Sequence, residues 1–509
     1  MKKKATILLL IFIGIVLIFL KRNESSGQDF LSIYLDGSEV ETIPIKNSAL
    51  FEKTVCDDDV NVHWDNKRWG IVVGNLNNKV KCNLYFKTLD NKVSEIISEV
   101  SPEDNCPTMN DDGTVNVTEY EADNGYLCQM NNGTAKSYYF RGNNVNNYVK
   151  FANFYWRIIR INDDNSVRVI YDGTEGHSNG EASTDRQIGT STYNEKNNDN
   201  MYVGYMYGDA NGLVESEIAD TTLTASGTIY VASKYNYDES TGLFSLTNPV
   251  AVSFNALLGT SQIDKYKGYY TLNLSSSKGT SSKAYKIIGS STELFTTKIS
   301  VSTVSYGSTS IDSATANTND SAVKSYLDSW YENNIKNTDY ENYVVKRIFC
   351  SDRSINENKP TNFLNNGFGT GPTAYRWYYE NNDNFATVSK TLSCSNFNDN
   401  YSTADAILGN KSLTYPIGLI STDEVILAGG WSKDNKKYYL YTGQNYWTMT
   451  PSAFKETTAM VNQVSSTGSA NSSSVVSKSA GVKPVLDLKS TTLLQGDGTI
   501  GNPYRLLSE

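Results

Sequence analysis

The pattern of apolar and polar positions changes character once, near the start of the chain. Met1-Lys2-Lys3-Lys4 leads into an unbroken apolar run, Ala5 to Leu20, closed by Lys21-Arg22. As a helix these 16 residues reach about 24 Å. That is short of a ~30 Å hydrocarbon core, but flanking lysines can snorkel to the interface. The pattern predicts that residues 1–27 are a cytoplasmic lysine cluster followed by a membrane anchor or signal segment. By the positive-inside rule the N-terminus stays in the cell and the rest lies outside. Lys21-Arg22 and the lack of an Ala-x-Ala exit suit a retained single-pass anchor. The alternative is cleavage within Glu24-Ser25-Ser26-Gly27, which would make the protein secreted.

Beyond the run, the pattern is mostly period-two. Residues 28–102 predict a small β-sandwich. Ser32 to Leu35 and Ser38 to Val40 flank Asp36-Gly37, a type I′ hairpin signal. Trp69 to Val73 and Cys82 to Phe86 are further strands. Residues 103–214 predict the first part of an α+β core, with a meander from Tyr148 to Tyr171 that turns at Ala152-Asn153 and at Asn162 to Asn165. In its long strand, simple alternation puts Phe154, Trp156, Ile158 and Arg160 on one face and Tyr155, Arg157, Ile159 and Ile161 on the other. Both faces carry apolar residues, so the strand is expected to be central.

Residues 215–305 predict a β-rich insertion. Lys234 to Tyr237 pairs with Leu243 to Leu246, and Tyr269 to Leu274 with Ala284 to Ile288. Residues 306–509 complete the core. There the spacing of Val323, Tyr326, Leu327, Trp330 and Tyr331 predicts a helix over 320–335, capped by Asp320 or Ser321. Ser421-Thr422-Asp423-Glu424 is a capping box opening a second helix that ends at Gly429-Gly430. Strands resume at Tyr438, Tyr446 and Lys483. The fold class is α+β, mostly antiparallel β.

Composition then narrows the function. The 35 tyrosines are explained first by strand propensity, although tyrosine-rich surfaces also suit binding. A net charge of −10 argues against nucleic acid as a partner. Cys56, Cys82, Cys106, Cys128, Cys350 and Cys394 are even in number, widely spaced and free of C-x-x-C pairs. In an exported chain this reads as three disulfides. Sequential pairing, 56–82, 106–128 and 350–394, is expected among the fifteen possibilities.

Motifs of catalysis are missing. The two histidines, His63 and His177, are expected to be ordinary surface residues. No G-x-S-x-G, H-E-x-x-H, Walker A or dinucleotide-binding glycine pattern occurs. No catalytic residue, metal ligand or cofactor is assigned. The acidic clusters Asp57-Asp58-Asp59, Asp111-Asp112 and Asp163-Asp164 lack calcium-loop spacing. Tyr375-Arg376-Trp377-Tyr378-Tyr379 reads as a core segment, with an exposed aromatic platform as the alternative.

Several segments carry a resemblance. Phe151 to Asn162, Phe349 to Ser354, Tyr415 to Glu424, Tyr446 to Pro451 and Gly481 to Leu488 resemble motifs of an uncharacterised, N-terminally anchored surface-protein family of gut Gram-positive (Bacillota) bacteria. So do Gly496 to Thr499 and Asn502 to Tyr504. The order of Ser421 to Glu424, Tyr446-Trp447-Thr448 and Val482 to Val485 is similar to C-type-lectin-like domains of the formylglycine-generating kind. The resemblance implies a lectin-like core. No paired cysteines occupy a catalytic strand, which speaks against formylglycine chemistry.

These readings lead to one expectation. The chain is a membrane-anchored extracellular surface protein that binds a glycan or a surface-protein ligand, with adhesion rather than catalysis as its role. The alternatives are a carboxylate-dependent extracellular hydrolase and a passive cell-envelope protein.

Overall fold

The computed structural model describes residues 31–507, except 45–48, 58–61, 66–67, 74–80, 89, 111–114, 118–123, 133–134, 211, 223–227, 233, 239–242, 249, 254–267, 272–283, 288–297, 358, 364–365, 379–387, 393, 395 and 456. Residues 1–27, where the anchor is expected, lie outside that range. Among the described residues no helix is long and apolar enough to cross a membrane. Strands take 38% of the chain and helices 15%, so the protein is mostly β, with mainly antiparallel sheets and, among the described residues, no closed barrel. It divides into two compact units, Met1–Asp90 and Asn91–Glu509.

In the first unit, Leu31–Leu35 and Ser38–Val40 form the expected hairpin. Its corner residues, Asp36 and Gly37, have φ of 50° and 81°, as a type I′ turn requires. Leu31–Leu35 then pairs in parallel with Cys82–Thr88, and that strand pairs antiparallel with Ala49–Cys56. Cys56 and Cys82 face each other across the ladder and are disulfide-bonded. The hairpin Val62–Asp65 and Gly70–Val73 brings Trp64 onto Phe51 and Phe86, with ring centroids 5.2 and 5.0 Å apart. The unit ends ahead of residue 102, and the helix Val93–Ser98 belongs to the second unit.

The second unit contains a seven-stranded sheet. Its order is Val344–Val345, Val485–Leu488, Val167–Gly173, Phe154–Ile161, Ala135–Gly142 and Gly125–Asn132, with Tyr148–Phe151 also pairing to Phe154–Ile161. The long strand is central, as its two apolar faces predict. Ala152 and Asn153 take φ of 56° and 65° at the tight turn before it. One expectation fails there. The ladder to Val167–Gly173 shifts register between Ile158 and Arg160. Such a bulge breaks the two-residue alternation. Arg160 therefore sits opposite Arg168, while Arg157 sits opposite Ile170. Arg168, Ile170 and Asp172 share a face, so Arg160 joins Arg157 rather than Trp156.

A second sheet of six strands is built on Tyr446–Lys455, flanked by Thr458–Val464 on one side and Ser479–Gly481 on the other. Trp156, Trp377 and Trp447 are fully buried in the core of this unit. The insertion forms its own six-stranded sheet, which leaves at Gly212 and returns at Gly307, paired with each other. Its two predicted pairings are present.

The helix Ala322–Asn334 is capped by Ser321, not Asp320. Its side chain accepts from the Lys324 amide. Val323, Leu327 and Tyr331 are buried, but Tyr326 turns outward. The helix Thr422–Leu427 has the expected capping box between Ser421 and Glu424. It ends where Gly429 takes a φ of 111°.

Candidate functional site

The three disulfides pair sequential neighbours: Cys56–Cys82, Cys106–Cys128 and Cys350–Cys394. No free cysteine remains.

His63 is exposed on its hairpin. His177 departs from the expected surface role. It is buried, with Nδ1 2.8 Å from Glu181 Oε1 and Nε2 2.9 Å from Asp185 Oδ2. Burial opposes its charge, but the two carboxylates prevail and hold its pKa above the usual value. Tyr375 to Tyr378 follow the expected core reading and not the exposed-platform alternative. Tyr375, Trp377 and Tyr378 are buried, and Trp377 Nε1 donates to Asp423 Oδ2 at 2.8 Å. Tyr379, Asp58, Asp59, Asp111 and Asp112 lie outside the described residues. Among the described residues no cluster of three or more His, Cys, Asp or Glu is placed to hold a metal ion.

A cleft of about 520 Å³ opens where several of these elements meet. Met130 and Ser137 come from two strands of the seven-stranded sheet, and Arg160 and Arg168 from two more. Ser421, Asp423 and Glu424 come from the start of the helix Thr422–Leu427. The Cys350–Cys394 disulfide, Lys346, Arg347 and the loop tip Ile407-Leu408 complete the wall.

The capping box positions the chemistry. Glu424 Oε2 accepts from the Ser421 amide at 3.0 Å, which leaves Oε1 facing the sheet. Oε1 lies 3.2 Å from Arg168 Nη1 and 3.6 Å from Arg160 Nε. Arg168 is fully engaged. It donates to both carboxylate oxygens of Asp487 and, at 2.6 Å, to the Ile348 carbonyl. Burial works against its charge, yet Asp487 and Glu424 hold its pKa above the usual value.

Arg160 is different. Its side chain is 9% exposed, and its Nε is buried with no hydrogen-bond acceptor among the described residues. Burial, with the neighbouring charge of Arg168, brings its pKa down to about 10, so it stays protonated at neutral pH. The cleft's carboxylates are each committed to an arginine. Asp163 and Asp164 take Arg347 at 2.7 and 2.6 Å, and Asp423 takes Arg376 at 2.6 Å.

The rim is aliphatic. Ile407 is 96% and Leu408 67% exposed. The base of their loop is tied down. The Asn410 amide donates to the Asn400 carbonyl at 2.7 Å, and Thr403 Oγ1 to Asp405 at 2.8 Å. Asp405 also ion-pairs with Lys346. Gly409 closes the tip with a φ of 99°, where a Cβ would strike Ser402. The apolar pair is thus presented by an anchored loop.

Reading the sequence for motifs missed Arg160, Ile407 and Leu408. The available signals were arginines interrupting otherwise apolar strands and an apolar pair inside a polar loop. Comparisons of this chain with protein-family models, curated proteins and solved structures find no match.

Proposed function

We propose that this chain is a membrane-anchored extracellular surface protein whose larger unit is a C-type-lectin-like ligand-binding core. The smaller N-terminal unit reads as a β-sandwich spacer. The resemblance to anchored surface proteins of gut Gram-positive bacteria agrees with this reading, as do the N-terminal apolar run and the three disulfides. Oxidising conditions outside the cell favour such bridges.

One observation carries the binding role. An anchored loop exposes Ile407 and Leu408 at the mouth of a cleft lined by polar and charged groups. An aliphatic rim over a polar floor combines desolvation with directional contacts, as binding sites do. The carboxylates there hold arginines, which favours recognition over hydrolysis.

The test is binding of the full-length, disulfide-intact chain to glycan and peptide arrays, beside an Ile407→Ser/Leu408→Ser variant. Loss of a specific signal in the folded variant is the expected result. A signal equal in both proteins sinks the assignment to this cleft.

A further inference from the structure

Arg160 supplies the starting point. Buried donors in folded proteins almost always have a partner, and a buried charge without one is costly. Arg160 Nε is 3.6 Å from Glu424 Oε1, and among the described residues no group accepts a hydrogen bond from the guanidinium. The bulge in its ladder is what turns it toward the cleft. The Nε is sealed against Glu424, and an oxygen acceptor arriving from the cleft would meet the Nη groups, which no described residue engages.

The charges around it say what kind of acceptor. Arg160, Arg168, Lys346 and Arg347 are matched by Asp163, Asp164, Asp423 and Glu424, four against four. Behind the wall, Asp487 on Arg168 adds a negative charge and Arg376 on Asp423 a positive one, so the balance stays even. An anionic ligand gains no net attraction here. An uncharged molecule offering both donors and acceptors meets complementary groups of each kind.

The apolar surfaces decide between the remaining classes. No aromatic side chain lines the cleft among the described residues. Sugars commonly present their C–H faces to aromatic rings, and that surface is missing. The apolar lining is aliphatic or sulfur, including Met130, Leu419 and the Cys350–Cys394 bridge. Aliphatic side chains pack well on such walls, and exposed Ile407 and Leu408 await an apolar counterpart. The volume is that of a site for a small ligand or a few residues of chain.

Resting on the reading of this cleft as a binding site, we infer that it takes an uncharged polypeptide segment. A backbone carbonyl accepts from Arg160, and an aliphatic side chain lies against Ile407 and Leu408.

The test uses the full-length, disulfide-intact chain in detergent micelles. It is applied to a random heptapeptide array and to a glycan array of neutral and acidic sugars. Selection of uncharged peptides bearing Leu, Ile, Val or Met is expected. Arg160→Met and the Ile407→Ser/Leu408→Ser variant should each weaken binding about tenfold, the loss of one good contact. Thermal unfolding checks that each variant is folded. If Arg160→Met does not fold, the rim variant decides alone, because its residues are exposed. Peptides bound equally well by folded variants overturn the inference. Glycan binding lost in the rim variant overturns the peptide class while leaving the cleft as the binding site. Silence of the folded chain on both arrays overturns the inference and the binding reading together.

Discussion

One face of the seven-stranded sheet carries two groups of buried charge, and they are built differently. Around Asp172, every cation has hydrogen-bond partners. Arg186 donates to Asp172 at 2.8 Å and to the carbonyls of Glu181 and Tyr441. Arg157 donates to Asn147 at 2.6 Å and Asn179 at 2.7 Å, with its guanidinium 3.7 Å from the Tyr148 ring. Lys483 donates to the Arg186 carbonyl at 2.7 Å. Farther along the same face, Arg168 is saturated but Arg160 is not. Only Asp172 Oδ2, 3.9 Å from Arg157, lacks a hydrogen bond among the atoms named there, and a network with its cations satisfied is what structure requires. A guanidinium beside a cleft that no described residue engages by a hydrogen bond points to something outside the chain.

The largest expected effect breaks the closed end. Asp172→Ala leaves Arg157, Arg186 and Lys483 without their shared counter-charge, and should cost about 3–5 kcal/mol in denaturant unfolding. The Cys350→Ser/Cys394→Ser variant opens a 44-residue separation beside the cleft. It should lose about 4 kcal/mol by chain entropy. Peptide or glycan binding should fall with it, whereas the Asp172 network should keep its amide protection in hydrogen exchange.

Arg160→Met is the sharpest comparison. It removes a charge that makes no hydrogen bond to any described residue, and should change stability by no more than about 1 kcal/mol. A loss as large as that of Asp172→Ala would mean that the two ends are not different in kind.

His177 borders the closed end and adds a pH dependence. Its pKa is raised in the folded protein from the usual 6.5. Its contribution is therefore complete below 6.5 and fades as pH rises through the folded value. Hydrogen bonds from His177 are the first cause that lowers Glu181, and for Asp185 they overcome the opposing effect of burial. Those contributions are present above the usual values of 4.5 and 3.8 and fade as pH falls through the folded ones. Thermal stability should decline above about pH 6.5, and His177→Asn should flatten that decline. A slope unchanged by the substitution would rule out this source.

The smallest effect belongs to the insertion. Its two ends, Gly212 and Gly307, already pair. Replacing 213–306 with a two-residue turn should shift the stability of the remaining unit by about 1 kcal/mol or less in calorimetry. It should leave both charged regions intact.

Much of the fold was legible because it is encoded locally. The Asp36-Gly37 and Ala152-Asn153 turns need positive φ, and short polar or small residues supply it. The capping box at Ser421 is a contact across three residues. The disulfides join cysteines close in sequence on neighbouring elements. What was not legible depends on distant partners. His177 looks like a loop residue until Glu181 and Asp185 fold around it. Tyr375 to Tyr378 reads as core with a surface platform as the alternative until Asp423 arrives from the helix Thr422–Leu427. The alternation of Phe154–Ile161 misplaces Arg160 because a bulge is a property of the pairing with Val167–Gly173, not of either strand alone.

The sequence by itself determined many of the strands and turns, the two main helices, the sequential disulfides and the expectation of an anchored extracellular chain. Each depends on neighbours a few residues apart, on composition, or on one continuous apolar run. Tyr438 to Tyr441, expected as a strand, is instead a buried turn. Only the tertiary structure decided which arginine donors are satisfied and which are not. That outcome depends on register, burial and on groups such as Glu424 and Asp487, more than 250 positions away in the chain.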